Sequence, residues 1–131
     1  MTRAKFRELF LLERAKFGRR YPKVARAGLG LLDRYATPRS PGGYRDVAFA
    51  NITTNMVWFV GRALRMPRAN LVGLLRHELG HLADPTPQKK GAEARADRIA
   101  WAVTGKPVRY DAKDVQNACR GRLKRPAHLH Q

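Results

Sequence analysis

The stretch PRANLVGLLRHELGHLADPTPQKKGAEARADRIAWAV, Pro67 to Val103, reads as two helices folded back on one another. Pro67 suits a helical first turn, where its ring presets φ and no backbone donor is needed. Leu71, Val72, Leu74, Leu75, Leu79 and Leu82 make the run that follows apolar on most sides, as in a buried helix. Asp84-Pro85-Thr86-Pro87 stops it. Helical spacing resumes from about Lys89 to Val103, with Ala92, Ala96, Ile99, Ala100 and Val103 apolar, until Gly105 and Pro107 close it. So short a connection makes the pair an antiparallel helical hairpin.

Within the first of these helices, His77-Glu78-Leu79-Gly80-His81 carries polar groups that a buried helix must satisfy. His77 and His81 are four positions apart and share a face, so both imidazoles can reach one metal ion at about 2.0–2.1 Å. Glu78, turned about 100° from His77, can act on a water at that ion as general base. Two histidines and an intervening glutamate at this spacing predict metal-assisted hydrolysis of an amide bond, with one zinc ion as cofactor.

A catalytic zinc normally takes a third protein donor, and Asp84, Glu93 and Asp97 compete for that role. Asp84 falls at the end of the histidine helix, where capping or a surface ion pair suits it better. Glu93 and Asp97 are four apart on the second helix and share a face. In an antiparallel hairpin Glu93 meets His81, and Asp97 lies nearer His77, where its carboxylate can accept a ring N–H and fix the tautomer.

Ala92-Glu93-Ala94-Arg95-Ala96-Asp97 resembles the glutamate-helix motif of gluzincins, and its E-x-x-A-D form is similar to that of the small minigluzincins. The resemblance covers roughly residues 67–103. It implies a zinc metallopeptidase acting on protein or peptide substrates, as an endopeptidase, with His77, His81 and Glu93 as ligands, Glu78 as catalytic base and Asp97 buttressing a zinc histidine. It also implies that a strand before the metal helix, read as the edge strand Met56 to Val60, takes substrate backbone by strand addition. Other users of the five-residue motif fit less well: Pro87 stands where metzincins place a third histidine, and the lone Cys119 lies downstream, not upstream as in peptide deformylases. Tyr110, His128 and His130 are the candidates for stabilising an oxyanion.

Upstream, Phe6, Leu9, Phe10, Glu13 and Phe17 follow helical spacing over residues 3–18, with Glu13 alone interrupting the apolar stripe. A second helix is expected from Lys23 to Tyr35, weakened by Gly28 and Gly30, and Thr37 to Gly43 is a loop by composition. Val47 to Ile52 and Met56 to Val60 are short β-rich runs flanking Thr53-Thr54-Asn55, a strand pair with a tight connection. Asp111 to Cys119 reads as a short final helix. The expected fold is α+β: one small, mainly helical domain, 1–131, with a short antiparallel sheet packed on the histidine helix and the glutamate helix after it.

Net charge is +17 over 131 residues, which favours an anionic partner. The bases crowd the N-terminal helix, about residues 1–22, and a flexible tail, about 120–131, where Arg120, Arg122, Lys124 and Arg125 are candidate nucleic-acid contacts. A nucleic-acid-associated protein with a structural metal site is therefore the alternative reading. One cysteine excludes an internal disulfide framework. No run approaches the ~18–20 apolar residues of a membrane span, and no signal segment opens the chain, so a cytoplasmic location is expected.

Overall fold

Thr2 opens the first helix: its hydroxyl accepts the Lys5 N–H at 3.1 Å, satisfying one of the donors a helix start leaves bare. The computed structural model describes residues 1–32, 47–86, 90–111 and 113. In chain order these form α1 (Arg3–Gly18), β1 (Gly28–Leu32), β2 (Ala48–Asn51), β3 (Met56–Val60), α2 (Arg68–Ala83) and α3 (Ala92–Thr104), with 3-10 turns at Val24–Arg26 and Gly61–Arg65. The architecture is a small α+β domain.

Of the second helix expected from Lys23 to Tyr35, the described part, up to Leu32, is instead a 3-10 turn and the strand β1. The cause lies in its partner strand. β1 runs parallel to β3 with Gly28 opposite Met56 and Gly30 opposite Trp58. A Cβ on Gly28 would collide with the Met56 side chain, and one on Gly30 with the Trp58 ring. The two glycines make room for bulky neighbours, and a helix had no such use for them.

β2 pairs antiparallel with β3, Ala48 opposite Phe59 through Asn51 opposite Met56, as the two β-rich runs require. Asn55, at φ 56, turns the chain between them, a left-handed conformation that asparagine tolerates. The sheet order is β1-β3-β2, so the sheet is mixed where an antiparallel one was expected. The same order corrects the edge-strand assignment: Met56–Val60 is the central strand, with both neighbours taken, and the edges among the described residues are β1 and β2.

Phe6, Leu9, Phe10 and Phe17 of α1, Val57, Phe59 and Val60 of β3, and Leu71, Leu75 and Leu79 of α2 join in one core. Phe6 meets Phe59 edge-on, ring centroids 4.8 Å apart. Glu13, the interruption in the α1 stripe, is buried and accepts Arg76 Nε–H at 2.7 Å and Lys16 Nζ–H at 2.9 Å. That pair ties α1 to the residue just before His77. α3 ends at Gly105, φ 76, whose N–H reaches the Trp101 carbonyl at 2.8 Å, the left-handed stop that its glycine predicts. No helix among the described residues is long and apolar enough to cross a membrane. The expected loop Thr37 to Gly43, the final helix Asp111 to Cys119 and the basic tail lie outside the described residues, apart from Asp111 and Lys113.

Candidate metal centre

α2 divides its surface between two tasks. Leu71, Leu74, Leu75, Leu79 and Leu82 are buried in the core. Asn70, Gly73, His77, Gly80 and His81 recur at three-and-four spacing and form a second stripe along another face. Gly80 is required there: a Cβ would run into the Ala96 backbone carbonyl, so only glycine lets α3 come this close. The contacts then pair in opposite chain directions, His81 with Glu93 and His77 with Asp97, as in an antiparallel hairpin.

Three donors converge. Glu93 Oε2 lies 2.7 Å from His77 Nε2, Glu93 Oε1 lies 3.1 Å from His81 Nε2, and the two Nε2 atoms are 3.1 Å apart. Among the described residues His77, His81 and Glu93 form the group able to hold a metal ion, their ligand atoms all within 4.8 Å of one another. Bonds of about 2.0–2.1 Å around a tetrahedral zinc place neighbouring donors about 3.3 Å apart, so the group fits such an ion with small adjustment. Nitrogen and carboxylate oxygen are also the donor types zinc accepts.

The other ring nitrogen of His77 is engaged too. Nδ1 lies 2.6 Å from Asp97 Oδ1, so an Nδ1–H donated to this carboxylate leaves Nε2 to face the centre. His77 is buried, whereas the Glu93 side chain is 79% exposed, so the centre opens to solvent on the α3 side. Burial alone lowers the pKa of His77, but hydrogen bonds and charge from Glu93, Glu78 and Asp97 outweigh it and raise it to about 9. Hydrogen bonds from His77 and His81 hold Glu93 well below the usual carboxylate range, against a smaller effect of burial.

Glu78 is buried one position on from His77, and its charge acts on both His77 and Tyr110. Tyr110 is the surprise among the sequence candidates, because nothing local to its segment ties it to the histidines. Its ring stands edge-on to His77 with centroids 6.3 Å apart. Burial and the negative charges of Asp97, Glu78 and Glu93 push its phenol above the ordinary value, so it stays a hydrogen-bond donor. Beside it opens a cleft of about 500 Å³ lined by Ala69, Asn70, Asp97, Val108, Arg109 and Tyr110.

Asp84, the third acid considered as a ligand, stands apart from the donor group. It is buried, not at the surface, and accepts from Arg95 Nε–H at 3.0 Å, Thr86 N–H at 2.9 Å and the Thr86 hydroxyl at 3.1 Å. Arg95 also donates to the carbonyls of Lys90 and Thr86, both at 2.7 Å, so Asp84 and Arg95 brace the turn joining the two site helices. Sequence reading passed over Asn70, Gly73 and Arg95; the stripe spacing on α2 was the signal available for the first two. His128, His130, Arg120, Arg122, Lys124 and Arg125 lie outside the described residues. No known protein family, curated protein or solved structure matches the chain.

Proposed function

We propose that the protein is a zinc-dependent metallopeptidase of the gluzincin kind, an endopeptidase acting on protein or peptide substrates. The observation that carries this reading is the meeting of His77, His81 and Glu93 at one point, with Asp97 on the far nitrogen of His77. Structural zinc sites are closed by four protein donors, whereas catalytic ones keep a position open. Three donors among the described residues, one of them largely exposed, favour the catalytic kind.

A zinc ion held by His77, His81 and Glu93 would supply Lewis acidity toward a scissile carbonyl and a water. The protein supplies the rest. Asp97 holds the His77 ring in one tautomer and orientation. Glu78 takes the proton of the attacking water and returns it to the leaving amine. The Tyr110 phenol borders the cleft next to His77, where a substrate carbonyl can be met by a donor.

The purified protein is expected to carry about one zinc per chain. Glu78→Gln retains that zinc and loses proteolysis, and Glu93→Ala loses stoichiometric zinc. Absence of stoichiometric zinc in the wild type, or intact cleavage by Glu78→Gln, sinks the reading.

The charge supports a second reading, a nucleic-acid-associated protein whose metal site only holds the fold. Net charge is +17, and Arg3, Lys5, Arg7, Lys16, Arg19 and Arg20 are exposed along or just after α1. It predicts DNA or RNA binding that weakens steeply with salt and is unaffected by Glu78→Gln. A flat binding signal at low salt counts against it.

A further inference from the structure

The metal centre uses one half of the polar stripe on α2, His77 to His81; the other half, Asn70 and Gly73, holds a different segment. Asn70 is buried, and its Oδ1 accepts the Asp111 N–H at 2.8 Å, from a residue 41 positions away. One turn further along, Gly73 lies directly beneath the Arg109 carbonyl, with no room for a methyl group between them. These two attachments bracket Tyr110. The backbone from Pro107 to Asp111 is neither helix nor strand, so the place of Tyr110 depends on such attachments and not on a regular hydrogen-bond ladder. The cleft beside the centre is lined by Asn70 together with Val108, Arg109 and Tyr110.

We propose that Asn70 is a positioning residue: by accepting the Asp111 N–H it latches this segment across α2 and fixes Tyr110 beside His77, where its phenol can donate to a substrate carbonyl. Gly73 is the seat that lets the segment lie close enough for the latch to form. Nothing in the pattern His77-Glu78-Leu79-Gly80-His81 requires an asparagine two turns before its first histidine. The hydrogen bond across 41 positions supplies the reason for one. The latch stands on geometry alone, and its catalytic consequence rests on the peptidase reading.

The test compares Asn70→Leu, close in size but without an acceptor, with Asn70→Asp, which keeps one, in the full-length zinc-loaded chain. Proton NMR reads the contact between the Tyr110 and His77 rings, and peptide hydrolysis reads kcat and KM separately. In Asn70→Leu the ring contact is lost and kcat falls on the order of tenfold to a hundredfold, as for misplaced groups generally, with KM changing less. Zinc content stays at the wild-type level. Asn70→Asp keeps the ring contact and most of the rate. Asn70→Ala replaces Asn70→Leu if the latter does not fold, with the same expectation. An unaltered ring contact in the variant lacking the acceptor overturns the proposal, as does loss of that contact in Asn70→Asp. A wild-type chain that binds zinc and cleaves nothing removes the peptidase reading, while the ring contact in the variants still decides the latch.

Discussion

Asp97 and His77 are joined by a 2.6 Å contact between Oδ1 and Nδ1, which settles which nitrogen of the buried imidazole faces the donor group. Without that acceptor the ring is free to turn or to exchange tautomers, and Nε2 no longer points reliably at Glu93 and His81. Asp97→Ala is therefore expected to weaken zinc binding about 10- to 100-fold, the usual cost of losing such a partner. Competition with a chelator of known affinity measures it. Unchanged affinity shows that the ring is held by packing alone.

Zinc affinity should also depend on pH through the same histidine. With its pKa raised to about 9 in the metal-free protein, His77 is protonated at neutral pH, and an incoming ion must displace that proton. Affinity accordingly rises with pH, by up to about tenfold per unit, and levels off as pH passes about 9. Metal-free stability runs the other way. A histidine whose pKa is raised on folding contributes fully below its ordinary value of 6.5, and the contribution is lost as pH rises through about 9. Calorimetric titrations in buffers of different ionisation enthalpy count the protons released. No release between pH 7 and 8 contradicts the assignment.

Gly80→Ala tests whether the close approach of α2 and α3 makes the centre. Alanine gains about 1 kcal/mol of helix propensity over glycine, but its methyl meets the Ala96 carbonyl, and overpacking of this kind costs about 1–3 kcal/mol. The net expectation is modest destabilisation in urea with a larger loss of zinc affinity, because the displaced α3 carries Glu93 away from both histidines. Equal losses in a zinc-free stability assay and in zinc affinity argue that the change is global and not local to the hairpin.

The helical hairpin was legible because its periodicity, its stop signals and its short connection agree, and the meeting of His77 and His81 with Glu93 follows from that geometry. β2 and β3 were readable as short β-rich runs about a tight turn. β1 was not, because Gly28-Leu29-Gly30-Leu31-Leu32 shows no pattern that separates strand from weak helix until Met56 and Trp58 are seen opposite its glycines. Tyr110 was a bare candidate for the same reason. Its place is set by Asn70 and Gly73, contacts across some 40 residues that no local window contains. Long-range pairing of polar groups is where sequence periodicity stops being informative.

Glu13 and Arg76 are another such pair, 63 positions apart. Burial pushes the Glu13 carboxyl up, but hydrogen bonds and charge from Arg76 and Lys16 outweigh it, leaving its pKa below the ordinary 4.5. A carboxyl depressed on folding stabilises the protein above its unfolded pKa, and that contribution is lost as pH falls from about 4.5 through the lower folded value. Glu13→Gln leaves the Arg76 charge largely buried without its partner, which for buried pairs costs about 3–5 kcal/mol. Urea denaturation at neutral pH should show a loss of that order. The gap between wild type and variant should narrow as pH is lowered below about 4.5, since acid neutralises the same carboxyl that the substitution removes. Arg76 directly precedes His77, so loosening this pair also loosens the start of the His77–His81 segment, and zinc affinity in Glu13→Gln is expected to fall alongside stability. A variant as stable as wild type at neutral pH denies the pair its structural role. A gap that stays constant down to pH 3 denies the depressed pKa.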